Sequence, residues 1–150
     1  RLLELCAVEL GMVGGQVLDV EAEHRVCTEE EVLAIQSRKT GALISAACQL
    51  GVIAAGGSPA QQQAAADYAA SLGLAFQIED DILDVVGDAA KLGKATGMDQ
   101  NKNTFVRLHG VEACRARITE ETQRAVAALA PFGQAEFLTE LAQRLTSRDH

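Results

Sequence analysis

A long alanine-rich segment in the middle of the 150-residue chain most strongly limits its possible folds. Residues 60–86 contain no proline and keep apolar side chains at helical spacing, which predicts one long amphipathic helix. Ser58 can cap this helix, and Pro59 is tolerated at its first position. Gly87 is expected to end it. The predicted apolar face contains Tyr68, Leu72, Ala75, Phe76, Ile82 and Leu83.

The rest of the chain also has the patterns of helices. Thr28, with Glu31 three residues later, has the sequence of a capping box. Gly56 and Gly57 are expected to end the helix that begins there. Helices are predicted over residues 1–19, 28–55, 104–109, 111–130 and 134–147. Aromatic residues make up only 3% of the chain, which argues against an all-β sandwich. The helical patterns predict an all-α fold in a single helical domain.

Three glycines interrupt the first predicted helix, at Gly11, Gly14 and Gly15. Each glycine inside a helix costs about 1 kcal/mol relative to alanine. We therefore expect another part of the chain to approach this backbone closely.

The charge balance argues against a nucleic-acid-binding protein. The formal net charge is −8, whereas a phosphate-backbone binder needs a basic face. The longest apolar stretch, residues 41–57, is too short and too mixed to span a bilayer, so we expect no membrane-embedded segment.

The cysteine content favours a cytoplasmic protein with reduced thiols. None of the four cysteines forms a Cys-x-x-Cys pair, and with three histidines in the chain a zinc site has little support. No signal peptide is visible. The first residue is not methionine, so we expect either a fragment or a processed form.

Near the end of the long helix, three aspartates lie within five residues. Asp80 and Asp84 are four residues apart and share one helix face with Gln77, while Asp81 lies about 100° around the axis. Carboxylates so placed repel each other and oppose the helix dipole, whereas Mg²⁺ would reverse both effects. A solvated acidic face is the alternative, but the apolar flanks of this segment favour metal binding.

Three lysines lie in loops or at helix breaks, at Lys39, Lys94 and Lys102. Lysines near a carboxylate-bound metal suit a diphosphate ligand, because they neutralise the oxygens that the metal leaves uncontacted. Plain surface solvation is the alternative for each of them.

Four segments occur in an order that resembles a known family. They are Met-Val-Gly-Gly-Gln-Val-Leu-Asp at 12–19, Lys-Thr-Gly-Ala-Leu-Ile at 39–44, Gly-Leu-Ala-Phe-Gln-Ile-Glu-Asp-Asp-Ile-Leu-Asp at 73–84, and Gly-Lys at 93–94. This order resembles the C-terminal half of trans-isoprenyl diphosphate synthases of the bacterial farnesyl diphosphate synthase type. The resemblance covers essentially the whole chain.

The resemblance implies a helical bundle of the isoprenoid synthase type with a deep pocket. It also implies a prenyltransferase that uses Mg²⁺ to ionise an allylic diphosphate, dimethylallyl or geranyl, which isopentenyl diphosphate then attacks to give farnesyl diphosphate. Family members act as homodimers, so association with a second copy or with the missing N-terminal half is expected.

The matching positions imply roles for individual residues. Asp80 and Asp84 would bind Mg²⁺ with Asp81 in support. Lys39, Lys94 and Lys102 would hold diphosphate, the last in a loop two residues shorter than the family spacing. Thr40, the Lys39 carbonyl and Gln77 would face the carbocation, and Gln16 and Asp19 would line the pocket.

The sequence also departs from the family pattern. The first aspartate motif of these synthases is absent from the 150 residues, so this stretch alone is expected to be inactive.

A non-catalytic or regulatory subunit of a heteromeric synthase is the alternative, although such a chain would be expected to lose its aspartates. A terpene cyclase relative is a third possibility, but the mixed Asn/Ser/Glu metal motif typical of cyclases is not visible. Helices such as 60–86 would leave apolar surface open without upstream neighbours.

Overall fold

The computed structural model describes residues 7–8, 10–92 and 103–147. In these residues every regular element is helical, so the predicted all-α fold is confirmed. The elements are α1 (Met12–Ala22), α2 (Glu29–Gln36), a π-helical turn (Ser37–Gly41), α3 (Ala42–Ala54), α4 (Pro59–Leu92), α5 (Phe105–His109), α6 (Val111–Ala128) and α7 (Glu136–Leu145).

Helix α4 is longer than the sequence predicted. It continues through Gly87 to Leu92, so the prediction that Gly87 ends the helix is wrong. A helical glycine carries only a modest cost, and it ends a helix when the backbone turns into the left-handed region. Gly56 makes that turn after α3, with φ of 72°, and the next amide, of Gly57, donates to the Val52 carbonyl at 2.8 Å. The predicted stop at Gly56 and Gly57 is therefore confirmed.

The second predicted helix forms, but it contains a π-helical turn that the sequence pattern did not predict. Its capping box is present: the Glu31 amide donates to Thr28 Oγ1 at 3.3 Å, and the Thr28 amide donates to Glu31 Oε2 at 2.8 Å. Residues Ser37–Gly41 then widen the helix before α3 continues it. Turns of this kind are frequent at functional sites.

Helix α4 is the central element of the bundle. It packs against α6 along one side and against α3 and the π-helical turn on another. Its apolar side chains divide between two clusters. The first gathers Ala75, Ile78 and Ile82 with residues of α5 and α6, and the second places Tyr68 and Leu72 against α6 and α7.

Most of the exposed large apolar side chains of the described residues lie outside α4, and several of them are on α1. Of the large apolar side chains of α4 that the structure describes, only Val86 is exposed, and the others are buried or partly buried. The expectation of an open apolar surface over 60–86 is therefore wrong. On α1, Val13, Val17 and Val20 recur at helical spacing and are each about half exposed, at 51%, 50% and 53%.

Two further features of the described residues concern the character of the helices and the state of the thiols. None of these helices combines the length and apolar character needed to cross a bilayer. Cys27, Cys48 and Cys114 are all free thiols, the first and last of them buried. Cys6 lies outside the described residues.

Candidate active site

The aspartates of α4 divide between two faces of one continuous helix. Gly73, Gln77, Asp80 and Asp84 are spaced by four, three and four residues and so share a face. Asp80 is partly buried and Asp84 is exposed. Asp81 lies on a neighbouring face. The structure thus places Gln77, Asp80 and Asp84 together, as the spacing predicted.

That shared face meets the π-helical turn. Gly73 packs on the backbone of Gly41: a Cβ at position 73 would lie 3.4 Å from the Gly41 Cα. Gln77 and Asp80 follow Gly73 by one and two turns, about 6 and 10 Å along the axis. The carboxylates therefore extend from the point at which α4 contacts the turn that contains Lys39.

Lys39 forms an ion pair with Asp19 of α1. Its Nζ lies 2.5 Å from Asp19 Oδ2, and both side chains are 40% exposed. The close fit of α1 on the turn makes this pair possible, because a Cβ at Gly15 would lie 2.3 Å from the Lys39 amide nitrogen. The predicted close approach to a glycine of this helix is confirmed at Gly15. Two of the predicted site residues, Lys39 and Asp19, are in direct contact.

Asp81 faces α5 and α6. Its Oδ2 accepts a hydrogen bond from the Phe105 amide at 3.0 Å. Burial and, secondarily, the charge of Asp81 raise the pKa of the Cys114 thiol on α6 to about 11, so Asp81 is also close to that helix. The structure therefore shows Asp81 fixing the start of α5, a role that the sequence did not predict.

The chemistry of Asp80 and Asp84 fits Mg²⁺. Mg²⁺ prefers hard oxygen ligands and uses one or two carboxylates together with phosphate oxygens and water. Among the described residues no group of three or more His, Cys, Asp or Glu side chains is placed to hold a metal. Two carboxylates one helical turn apart match the number that Mg²⁺ takes from protein when phosphate oxygens and water complete its ligands.

The remaining predicted residues are distributed as follows. Thr40 is partly buried within the π-helical turn, and Gln16 is exposed on α1, one turn before Asp19. Lys94 and Lys102 lie outside the described residues. A cavity of about 420 Å³ lies between α2, α3 and α4 and is lined in part by Gly41 and Gly73. None of the predicted site residues that the structure describes lines it.

Sequence reasoning missed two features near this site, the π-helical turn and Asn103. Asn103 hydrogen-bonds to the backbone at the end of α1 and in the connection that follows. An asparagine directly before the capping residue Thr104 was the only pattern that could have drawn attention to it.

Comparison with known families decides the classification. The family model described as polyprenyl synthetase matches residues 2–136. The chain belongs to the polyprenyl synthetase family. It is 48% identical to the farnesyl diphosphate synthase of Escherichia coli (strain K12) over 110 residues, 71% of this chain and 37% of the relative. It is 36% identical to the farnesyl diphosphate synthase of Bacillus subtilis (strain 168) over 145 residues, 93% of this chain and 48% of the relative.

Solved structures of polyprenyl synthetases share the fold. An FPP/GFPP synthase from Zymomonas mobilis matches 96% of this chain and 48% of its own length, with a TM-score of 0.84 and 31% identity. A Helicobacter pylori geranyltransferase, complexed with magnesium and isoprenyl diphosphate, matches 97% of this chain and 48% of its own, with a TM-score of 0.74 and 29% identity. The chain spans about half the length of such relatives. The predicted family and helical-bundle fold are confirmed.

Proposed function

We propose that this chain is the C-terminal part of a prenyltransferase domain whose N-terminal half lies outside these residues. The reaction would join isopentenyl diphosphate to dimethylallyl or geranyl diphosphate, giving farnesyl diphosphate and releasing diphosphate. The shared face of α4 carries the proposal: Gln77, Asp80 and Asp84 extend from the contact with the turn that contains Lys39. The names of the relatives, farnesyl diphosphate synthase among them, support it.

In this proposal Asp80 and Asp84 hold Mg²⁺, with Asp81 fixing the neighbouring backbone. The structure of the Helicobacter pylori geranyltransferase in complex with magnesium and isoprenyl diphosphate supports this choice of metal. When bound, Mg²⁺ neutralises diphosphate oxygens and so favours their departure from the allylic carbon.

Lys39 would bind the diphosphate by exchanging its partner. In the structure its ammonium group pairs with Asp19, and at 40% exposure it is accessible to an incoming anion. A diphosphate oxygen would compete with the Asp19 carboxylate, which orients the lysine until the substrate arrives. We propose the same ligand for Lys94 and Lys102.

The oxygen atoms of Thr40, the Lys39 carbonyl and Gln77 would face the allylic cation. Their dipoles stabilise positive charge without forming a bond to it. The double bond of isopentenyl diphosphate then supplies the electron pair of the new carbon–carbon bond, and the resulting cation loses a proton to the released diphosphate. Gln16 and Asp19 would line this part of the pocket.

The half of the domain outside these residues would supply the first aspartate motif, a second carboxylate cluster that would face Asp80 and Asp84 across the site. Loss of even one electrostatic contact to developing charge costs about 10²–10³ in rate. We therefore propose that these 150 residues bind magnesium diphosphate but do not condense substrates alone. The half-exposed valines of α1 provide the apolar surface that the other half, or a second copy in a homodimer, would cover.

An assay of the complete open reading frame tests this function. With geranyl diphosphate, isopentenyl diphosphate and Mg²⁺, we expect the full protein to form farnesyl diphosphate, and EDTA to abolish the activity. The 150-residue chain alone should form none. Product formation by the isolated chain would contradict the proposed division of the site. Activity of the full protein only after addition of a separate synthase would favour the regulatory-subunit alternative.

A further inference from the structure

Asn103 uses its full hydrogen-bonding capacity. Its Nδ2 donates to the carbonyls of Ala22 at 2.8 Å and Arg25 at 2.9 Å. Its Oδ1 accepts from the Cys27 amide at 2.9 Å and from Arg107 Nη1 at 3.3 Å. A side-chain amide offers two donors and two acceptor positions, so all of them have partners.

These bonds join segments that are far apart in the sequence. Ala22 and Cys27 are 81 and 76 residues from Asn103. Ala22 is the last residue of α1, where a helix leaves carbonyl groups without partners inside the helix. Asn103 therefore caps α1 and closes the connection between α1 and α2.

The same short segment is also held on α4. Two residues after Asn103, the Phe105 amide donates to Asp81 Oδ2 at 3.0 Å. Residues 103–105 thus connect the end of α1 to the helix that carries the aspartates. On α1, Asp19 lies one turn before Ala22 and pairs with Lys39.

We propose that Asn103 is a positioning residue that sets the spacing between the Asp19–Lys39 pair and the carboxylates of Asp80 and Asp84. It acts through α1 on one side and through the Phe105–Asp81 hydrogen bond on the other. The inference rests on the proposed function, in which both groups contact one diphosphate. A smaller side chain would leave the Cys27 amide and two carbonyls without this partner. The connection between α1 and α4 through residues 103–105 would then be lost, and only their shared contacts with the π-helical turn would remain.

The test compares N103A with a matched control, Y68F. The Tyr68 hydroxyl also donates to a distant carbonyl, that of Leu138 at 2.8 Å, but it lies in the second cluster. Tyr68 is twelve residues before Asp80, about 18 Å along α4. Both variants should lower the thermal midpoint, because each removes a long-range hydrogen bond.

Calorimetry with inorganic diphosphate and Mg²⁺ separates positioning from stability. We expect N103A to weaken diphosphate binding about tenfold or more. A loss of this size is usual when a residue that orients metal-binding side chains is removed. Y68F should leave the affinity unchanged. Hydrogen exchange supplies a second measurement: the Phe105 amide should exchange faster in N103A and not in Y68F. If N103A does not fold, N103S, which keeps a hydroxyl, is compared in the same way.

The outcomes are distinct. Equal diphosphate affinity in N103A and Y68F, or an unchanged Phe105 exchange rate in N103A, would show that Asn103 is only structural and overturn the inference while leaving the proposed function intact. Failure of the wild-type chain to bind diphosphate with Mg²⁺ would instead defeat the proposed diphosphate site, and the inference with it.

Discussion

Replacing Asp80 with alanine should weaken Mg²⁺-dependent binding of diphosphate by about a hundredfold. Removing one member of a close charge pair costs about 2–5 kcal/mol, and each 1.4 kcal/mol is a factor of ten in affinity. Asp80 lies on the face of α4 that meets the π-helical turn containing Lys39. On that face it stands between Gln77 and Asp84, the other two residues of the proposed site. Isothermal titration calorimetry with inorganic diphosphate, with and without Mg²⁺, measures the change.

Asp67 provides the matched control on the same helix. It is exposed and accepts a hydrogen bond from Gln63 Nε2 at 2.8 Å, one turn earlier. It precedes Asp80 by thirteen residues, about 20 Å along the axis. D67A changes the net charge as D80A does, but it should leave diphosphate binding unchanged. Equal losses in the two variants would show that only overall charge matters, and would contradict a site at Asp80.

Gly15→Ala should destabilise the chain by about 2–3 kcal/mol, the upper range for overpacking a tight contact. The new Cβ would lie 2.3 Å from the Lys39 amide nitrogen and 2.8 Å from the Arg38 carbonyl carbon. These are backbone atoms, which cannot rotate away as a side chain can. Helix α1 must therefore move off the π-helical turn, which would also separate Asp19 from Lys39. Urea unfolding measures the loss of stability, and calorimetry measures the loss of diphosphate binding.

Gly51→Ala is the matched control for this substitution. Gly51 lies inside α3, and an added Cβ would meet no atom within 4 Å apart from its chain neighbours and the backbone of its own helix. Alanine there should stabilise the chain by up to about 1 kcal/mol, since it is the better helix former. If G15A and G51A had the same unfolding midpoint, the close packing of α1 on the turn would be contradicted.

The helices and the order of the site residues were predictable because they depend on local patterns. Apolar spacing predicted α4, and the pair Thr28 and Glu31 predicted where α2 begins. The prediction at Gly87 was wrong because the residue type alone does not show whether a glycine ends a helix or continues it. What distinguishes Gly56 is its positive φ, which the sequence does not show.

The π-helical turn was not predictable, because distant contacts accompany it. Its backbone is approached from two sides by glycines, with Gly15 of α1 against Lys39 and Gly73 of α4 against Gly41. Neither contact is visible in a local window of sequence. The roles of Asp81 and Asn103 likewise depend on partners 24 and more than 70 residues away.

The most direct test of the central claim is to locate the metal. In an NMR experiment on the chain with inorganic diphosphate, Mn²⁺ would replace Mg²⁺ and broaden the signals of nearby amides. We expect broadening at residues 77–84 and at 39–41, with Gln63 and Asp67 unaffected. Broadening confined to other acidic surfaces, such as Glu120 on α6, or no broadening around Asp80 and Asp84, would contradict the claim.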